Sequence, residues 1–344
     1  MKKKVQNKNK KKKIHKLTIF CIILDLLVAT GFFITYGPID TLRNLYITTA
    51  MKTMNHQYFA KIFYNDKTIE KVMNSNYYIK INDKVNLDNI VIDTGEKDHY
   101  KNKYDEQILK RDNPNDTYKL INLKVGSANA YLVAIYEPKK VRLVSKETLG
   151  TEKGEQLKSI CKRYNAKVCI NGGGFVDYGY GSGIPLGYVI EDGEITWTDG
   201  DSATKTGEII GLTKEGKLML LEGTGQEALN AGIIHGLEFG PFLIVNGKSM
   251  EIVGDPWGRA PRVSIAQRKD GVILFLVIDG ENYISGASLT DVVDTLVQYG
   301  AYNAANLDGG TSASLVINNE LINNPPKAKS YGGRYIVTGW GYTP

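Results

Sequence analysis

The sequence predicts an α+β protein: a mixed, mostly antiparallel β-sheet domain with a few helices, preceded by an N-terminal transmembrane helix and a helical stem. From residue 118 onward, short apolar strand patterns follow one another, and tight turns join several of them, at 191–194, 214–217, 245–248 and 268–271. Asp-Gly and Asn-Gly turns between such strands are strong hairpin signals. Two helical patterns interrupt the strands, and one long apolar segment precedes them all.

The composition is that of a globular protein with one large domain or two smaller ones. The chain has 344 residues, of which 42% are hydrophobic and 23% are charged, which is enough for a substantial core. Its net charge of +6 is confined to residues 1–16, which hold nine lysines and no acid, whereas the remainder has 34 basic and 37 acidic residues. Because the body is slightly acidic, we expect no nucleic-acid partner.

Residues 17–36 form a 20-residue apolar segment with a single charge, Asp25. About 20 residues at ~1.5 Å each span a hydrocarbon core of ~30 Å. The preceding lysines predict a cytoplasmic tail, so the remainder of the chain would lie outside the cytoplasm. A cleaved signal peptide is the alternative, but its apolar region is usually shorter and ends in small residues. Here Phe32, Phe33 and Tyr36 end the segment, so we expect an uncleaved, single-pass signal anchor in the cell membrane.

Residues 37–117 are predicted to be a stem and a spacer. In residues 38–75 the apolar side chains recur at helical spacing, and Asp40 is placed to cap the first helix. Residues 76–117 are rich in Asn, Asp and Lys, with short strand-like pieces, and end in the turn-rich sequence RDNPND. This composition predicts weak structure. The globular domain is therefore expected over residues 118–344.

The three cysteines do not form a CxxC pair, which excludes a Cys-rich zinc module. Cys21 lies in the apolar segment and resembles any small hydrophobic residue there. Cys161 falls on a helix predicted over 152–164, and Cys169 falls on the following strand. Outside the cell these two can pair, but their different elements favour two reduced, buried thiols.

A weak internal similarity relates residues 157–175 to residues 294–312. Each segment reads as a helix, a short turn, a strand and a glycine pair, and aligning them places Asn171 opposite Asp308. Two such strands would lie near each other in one sheet. A single match in one sequence makes a true duplication the less favoured interpretation.

Two glycine-rich segments at strand ends are the strongest candidates for a binding site. Glycines let a backbone approach a ligand closely and expose N–H groups, although a plain tight turn is the alternative for the first segment. The second segment places a carboxylate before two glycines and several hydroxyls, an arrangement typical of an anion site. The candidate residues are Asn171, Gly172 and Gly173 in INGGGF, and Asp308, Gly309, Gly310, Thr311 and Ser312 in LDGGTSAS.

Two further segments carry groups suited to chemistry. Arg259 and Arg262 lie on a loop before a predicted strand, where an arginine can make bidentate contacts to phosphate. Asp279 ends a buried strand, where a carboxylate is well placed at a sheet edge. Ser285 precedes the helix predicted over 288–299 and is placed to present a donor at its positive end. A solvated loop and a hairpin turn are the respective alternatives.

Several common sites are excluded. His235 is the only histidine in the predicted globular domain, so a Ser-His-Asp triad is improbable and a zinc site lacks ligands. Neither a Walker motif nor a dinucleotide fingerprint occurs. We expect no metal and no cofactor.

In this order, the four segments resemble the phosphodiester glycosidase family, whose bacterial relatives are often described as exopolysaccharide biosynthesis proteins. The resemblance covers about residues 165–344. Glu281 stands where the family usually has an arginine, and Thr311 stands where it has a third glycine. The matching pieces are INGGGF, PLGYVIEDGEI, FGPFLIVNGK, RAPRVSIAQRKDG, FLVIDG, SGASLTDVVDTLVQYGAYNAANLDGGTSASL and NPP. The residues that match the family motif are Arg262, Asp279, Asp308, Gly309, Gly310 and Ser312.

The resemblance implies hydrolysis of a sugar joined through its anomeric oxygen to a phosphodiester. Such a site needs an anion cradle, a carboxylate near C1 and partners for sugar hydroxyls. Arg262 and the glycine amides would form the cradle, and either Asp308 or Asp279 would be the base or the charge stabiliser. The implied partner is a phosphodiester-linked glycan or cell-surface polymer. The alternative, which Glu281 favours, is a non-catalytic glycan-binding or exopolysaccharide-assembly factor.

Overall fold

The computed structural model describes residues 2–37, 40–52, 57–151, 153–177, 183–280, 286–325 and 332–344. The chain divides into two compact units, Met1–Ser75 and Asn76–Pro344. The second unit thus includes the segment that the sequence predicts as a spacer.

The first unit is helical. Its helices are α1 (Lys2–Tyr36), α2 (Asp40–Met51), α3 (Gln57–Phe63) and α4 (Asp66–Asn74). Within α1, the 18 residues Lys16–Phe33 have a mean hydropathy of 2.0 and are long and apolar enough to cross a membrane. Asn65 caps α4 by accepting from the Thr68 N–H at 2.9 Å. The small core shared by α2, α3 and α4 consists of Ile47, Ala50, Ala60, Tyr64, Ile69 and Val72.

The second unit is built mainly of strands. Its helices are α5 (Lys103–Leu109), α6 (Leu157–Arg163), α7 (Gly225–Asn230) and α8 (Leu289–Gln298). Its strands are β1 (Tyr77–Ile79), β2 (Tyr118–Val125), β3 (Ala128–Ile135), β4 (Val141–Ser145), β5 (Glu155–Gln156), β6 (Val168–Asn171), β7 (Val189–Glu191), β8 (Glu194–Trp197), β9 (Thr206–Thr213), β10 (Leu218–Thr224), β11 (Ile233–Glu238), β12 (Phe242–Val245), β13 (Lys248–Ser249), β14 (Glu251–Val253), β15 (Arg262–Arg268), β16 (Ile273–Ile278), β17 (Ala301–Leu307), β18 (Leu315–Ile317), β19 (Glu320–Leu321), β20 (Tyr335–Ile336) and β21 (Thr338–Tyr342).

Three larger sheets organise these strands. One has seven strands in the order β13-β12-β17-β15-β16-β3-β2, and two have five strands each, in the orders β10-β9-β11-β7-β8 and β19-β18-β6-β21-β4. Two-stranded ladders join β1 to β14 and β5 to β20. The strand pairs among the described residues are antiparallel. The predicted α+β class with mostly antiparallel sheets is therefore confirmed.

The four predicted hairpin turns are also confirmed, because they join β7 to β8, β9 to β10, β12 to β13 and β15 to β16. Each turn contains a residue with positive φ; at the first, Asp192 has φ 51° and Gly193 has φ 81°. Turns of this kind need Gly, Asn or Asp at such positions, which is why local sequence identifies them.

The seven-stranded sheet is apolar on both faces. One face packs Val263, Ile265 and Phe275 into the main core, which the other two larger sheets complete. The opposite face packs under α8, whose Leu289 and Leu296 lie in a second core. Burial on both faces explains why β16 is a continuous apolar run rather than an alternating one.

Both predicted helices are present, but the sequence predicts the start of only one of them correctly. α8 begins as expected, because the Ser288 hydroxyl accepts from the Asp291 N–H at 3.1 Å and the Asp291 carboxylate accepts from the Ser288 N–H at 2.9 Å. The helix predicted over 152–164 is shorter and begins at Leu157, since Glu155 and Gln156 pair with β20 instead.

The two cysteines of the globular part are joined in a disulfide, so the expectation of two reduced thiols is wrong. Cys161 lies in α6 and Cys169 in β6, and the packing of that helix on that strand brings their Cα atoms to 6.3 Å. This separation is within the range that a disulfide bridges. A helix and a strand that follow each other can thus present their cysteines to one another.

Candidate functional site

The two glycine-rich segments meet in the structure although their strands lie in different sheets. β6 ends at Asn171 in one five-stranded sheet and β17 ends before Asp308 in the seven-stranded sheet, so the expectation of a shared sheet is wrong. The Asp308 N–H donates to the Gly172 carbonyl at 2.9 Å. The contact between strand ends bridges two sheets rather than extending one.

The Asn171 side chain fastens the two segments together. Its Nδ2 donates to the Asp308 carbonyl at 2.6 Å, and its Oδ1 accepts from the Ser314 N–H at 3.0 Å. Asn171 is only 1% exposed. A buried amide that satisfies one backbone acceptor and one backbone donor sets the relative position of both loops.

Asp308 is half-buried directly after β17. Burial raises its pKa from the usual 3.8 to about 6. The Ser312 hydroxyl, the Arg334 guanidinium and the Gly309 N–H oppose this rise, and the Asp177 carboxylate adds to it. Asp308 therefore changes its charge near neutral pH, which is the range that a general acid or base requires.

Arg334 and Asp177 complete the group around Asp308, and the sequence reasoning missed both. The Arg334 Nη1 donates to the Thr311 Oγ1 at 2.8 Å, and its Nη2 is paired with the Asp177 carboxylate. The guanidinium carbon also lies 5.1 Å from the centre of the Phe175 ring. The sequence signals were modest: Asp177 follows the first glycine-rich segment by two residues, and Arg334 follows a glycine pair.

The Ser312 hydroxyl is buried beside the Asp308 carboxylate. Ser312 is 1% exposed, and among the described residues its Oγ has no hydrogen-bond partner of good geometry. Because a buried hydroxyl usually has a partner, the Ser312 hydroxyl is placed to serve the neighbouring Asp308 carboxylate, whose pKa it lowers.

The glycine amides mostly build the loops instead of facing a ligand. Gly172 donates to the Thr338 carbonyl at 2.8 Å, Gly173 donates to the Thr338 Oγ1 at 3.0 Å, and Gly310 donates to the Pro261 carbonyl at 2.9 Å. A Cβ on Gly172 would lie 2.7 Å from the Leu237 Cδ2. These glycines permit close packing between segments, so the donors left for an anion are mainly side chains.

Arg262 occupies a different environment from the predicted cradle. It is 5% exposed, and its guanidinium donates to the carbonyls of Ala287 at 3.0 Å, Trp257 at 3.1 Å and Gly258. Burial lowers its pKa to about 10. Its donors hold the loop before β15 against the residues that precede α8. The proposed contact with phosphate has no support in these bonds and stays a prediction.

Asp279 is linked to the second glycine-rich segment through one intermediate. It is 4% exposed and accepts from the Asn323 Nδ2 at 2.9 Å and from the Asn324 N–H at 3.1 Å. Asn323 in turn donates to the Ala313 carbonyl at 2.9 Å and accepts from the Leu315 N–H at 2.8 Å. The geometry suits a positioning group, and a catalytic role for Asp279 stays a prediction.

The remaining expectations concern groups away from Asp308. Ser285 and Glu281 lie outside the described residues. His235 is 7% exposed, and burial, aided by Arg142, lowers its pKa to about 4, so it is neutral at physiological pH. Within the described ranges, no group of three or more His, Cys, Asp or Glu side chains is arranged to hold a metal ion.

The bridging role of Asn171 makes a testable prediction. Asn171→Ala should lower the free energy of unfolding by about 2–4 kcal/mol, because it leaves the buried Asp308 carbonyl and Ser314 N–H unpaired. Urea unfolding monitored by circular dichroism measures this. The matched control is Asn115→Ala at an exposed position, which should change stability by less than about 0.5 kcal/mol. Equal effects of the two substitutions would show that Asn171 does not join the loops.

Part of the chain matches a known protein family. The family model for phosphodiester glycosidase matches residues 164–343. A curated relative, the SPbeta prophage-derived uncharacterized protein YomE of Bacillus subtilis (strain 168), is 28% identical over 184 residues, which are 51% of this chain and 28% of that protein. This chain therefore matches little more than a quarter of that relative's length.

One solved structure shows the same fold at low sequence identity. The catalytic domain of zebrafish N-acetylglucosamine-1-phosphodiester alpha-N-acetylglucosaminidase, auto-inhibited by its pro-peptide, superposes with a TM-score of 0.56 at 19% identity, over 68% of this chain and 86% of that one. A hypothetical protein from Synechocystis gives a TM-score of 0.46 at 19% identity, over 65% and 61% of the two chains. Since the family model covers slightly more than half of the sequence, including both glycine-rich segments, the chain belongs to the phosphodiester glycosidase family.

Proposed function

We propose that this protein is a membrane-anchored, extracytoplasmic hydrolase that cleaves sugar-1-phosphodiester linkages, of the GlcNAc-1-phosphodiester type, in envelope glycans or exopolysaccharide. The observation that carries the proposal is the placement of Asp308, with a pKa of about 6, beside Arg334, Thr311 and Ser312. A titrating carboxylate next to a cation and two hydroxyls provides both the base and the anion partner that this reaction needs.

In the proposed reaction, water attacks C1 of the sugar as the bond between C1 and the phosphate oxygen breaks. Asp308, in its ionised form, accepts a proton from that water. The electron pair of the broken bond stays on the oxygen, so the products are a free sugar and a phosphomonoester. Arg334 and the Thr311 hydroxyl stabilise the charge that develops on the phosphate, where a fixed donor is worth more than bulk water.

The Asp177 carboxylate has a positioning role in this scheme. Its side chain is 8% exposed and is paired with the Arg334 Nη2, whereas the opposite nitrogen reaches Thr311. Because one edge of the guanidinium is held by protein, the other keeps a fixed direction. Asp177 thus orients Arg334 without contacting the sugar.

The test is hydrolysis in ¹⁸O-labelled water. The purified full chain in detergent is incubated with methyl GlcNAc-α-1-phosphodiester, and the phosphomonoester is analysed by mass spectrometry. Cleavage between C1 and oxygen leaves the phosphate unlabelled, whereas attack at phosphorus introduces one ¹⁸O. Labelled phosphate would replace the glycosidase proposal with a phosphodiesterase, and lack of turnover on this ester and on cell-wall polymers would refute hydrolysis.

The second candidate function is glycan binding without catalysis. It is favoured by Glu281, which stands where the resemblance implies an arginine. The same preparation distinguishes the two functions: a binding protein would retain the phosphodiester, detected by calorimetry, and release no sugar during prolonged incubation.

The location is part of the proposal. It is supported by the apolar stretch Lys16–Phe33 within α1 and by the nine lysines in residues 1–16. Protease added to intact spheroplasts should digest the second unit, and the membrane fraction should retain a chain of uncleaved mass. Protection until lysis would invert the topology, and a shortened soluble product would indicate a cleaved signal peptide instead.

A further inference from the structure

Helix α3 carries apolar side chains on two sides, one of which is buried and the other largely exposed. Ala60 is fully buried, and the adjacent Tyr64 is 9% exposed in the same small core. The exposed side chains are Tyr58, Phe59, Ile62 and Phe63, at 52%, 41%, 64% and 41%. At about 100° per residue these four cover one continuous face, ~140° wide. In a small soluble bundle, the solvent-facing side of a helix is normally polar. This exposed apolar face of α3 therefore indicates a surface that binds a partner.

Ring contacts within the first unit place the end of α3 beside the end of α1. The Tyr64 ring centre lies 6.2 Å from that of Tyr36, the last residue of α1. Tyr46 of α2 lies 6.2 Å from Phe63 and 6.1 Å from Tyr64. Tyr36 is three residues beyond Phe33, where the apolar stretch ends, or ~4.5 Å along the helix axis. If α1 spans the bilayer, this aromatic contact lies at its outer surface.

We propose that the α3 face inserts into the outer headgroup region of the bilayer that α1 crosses, as an interfacial helix. The occupant is lipid, because the face is joined to a candidate span and lies level with its end. Aromatic side chains are enriched at this depth, and an interfacial helix buries its apolar side by ~5–10 Å. Lys61 is exposed beside this face, at the polar edge of the helix.

Interfacial insertion gives the stem a second attachment to the membrane. A single spanning helix leaves the chain free to rotate about the helix axis, whereas a second contact beside it restrains the bundle of α2, α3 and α4 against the surface. This inference rests on the proposed membrane anchoring, and the experiment below tests the two separately.

The experiment places one fluorophore at a time on the full chain in phosphatidylglycerol–phosphatidylethanolamine liposomes. The background is Cys21→Ser, which removes the free cysteine. Ile62→Cys reports the α3 face, Lys61→Cys is the matched control on the neighbouring exposed position, and Leu27→Cys reports α1. Each is labelled with an environment-sensitive dye and titrated with lipids that carry a quencher near the headgroup or deep in the acyl chain.

The expected result is a blue-shifted emission at Ile62 and headgroup quenching at least about three-fold stronger than at Lys61, with deep quenching at Leu27. Equal solvent exposure at Ile62 and Lys61, together with a deeply quenched Leu27, would overturn the interfacial face and leave the span intact. A Leu27 label that deep quenchers do not reach would remove the span and this inference with it. Self-quenching between copies without lipid quenching would assign the face to a second chain and also overturn the proposal.

Discussion

Asp308→Asn is expected to slow turnover by about 10²-fold or more and to make the folded chain more stable at neutral pH. Asparagine keeps the shape of the side chain and can still accept from the Gly309 N–H, but it can neither take a proton nor carry the buried charge. The measurements are single-turnover release of sugar and chemical unfolding of the same preparation.

The direction of the stability change follows from the raised pKa. In the unfolded chain this carboxyl has a pKa near 3.8, so it has lost its proton above about pH 4. In the folded chain Asp308 keeps that proton up to about pH 6. The contribution of this carboxyl to stability therefore falls as the pH rises through this window, and the full penalty remains above it. We expect Asp308→Asn to gain about 1–2 kcal/mol at pH 7, a discounted value because the carboxylate keeps some contact with solvent. The gain should vanish near pH 4.

The control for this prediction is Asp112→Asn, whose side chain is 83% exposed. It should leave turnover unchanged and shift stability by less than about 0.5 kcal/mol. Near-normal turnover by a well-folded Asp308→Asn variant would reject Asp308 as the catalytic group and transfer the assignment to Asp279.

Arg334→Gln is expected to lower kcat by about 10²–10³-fold, the typical loss when one charge-stabilising donor is removed from an active site. The same change should raise the pH at which activity is half-maximal, because the guanidinium holds the pKa of Asp308 down. If ionised Asp308 is the base, activity falls as the pH drops through that pKa, so the acid limb moves toward higher pH.

Asp177→Asn should move the acid limb of the pH–activity profile toward lower pH, opposite to the effect of Arg334→Gln. The Asp177 carboxylate raises the pKa of Asp308, so its removal should extend activity to lower pH while reducing kcat less than Arg334→Gln does. Opposite shifts from two partners of one ion pair are difficult to explain by general loss of structure. Arg163→Gln is the matched control, because Arg163 pairs with Glu155 at 3.0 Å and is 31% exposed, against 24% for Arg334. Identical pH profiles for all variants would contradict the coupling.

Local chemistry explains which parts of the structure the sequence predicts well. The turn after β7 needs residues that tolerate positive φ. Asp192 and Gly193 meet this requirement, so they predict the turn whatever the surrounding fold. The start of α8 depends on Ser288 and Asp291, which are three residues apart. Such features involve neighbours in sequence, so their signals are complete within a short window.

Tertiary contacts account for what the sequence did not reveal. Arg334 and Asp177 are 157 positions apart, as their numbers show, and the fold brings them together by pairing β6, which precedes Asp177, with β21, which follows Arg334. Arg262 has the same charge as Arg334, but its guanidinium donates hydrogen bonds to three backbone carbonyls. Whether an arginine serves a ligand or the backbone is therefore decided by burial, which composition and motif spacing do not contain.

The inward direction of the glycine amides has a consequence for motion on slow timescales. Gly172, Gly173 and Gly310 lie in loops, yet their N–H groups are bonded to the backbone or side chain of other segments. Their hydrogens should exchange with solvent slowly, because release requires the strand ends that these bonds hold together to separate. Asp308 lies between these bonded loops, so its carboxylate is already in place when the substrate binds. This part of the site would therefore add little to the entropy cost of binding.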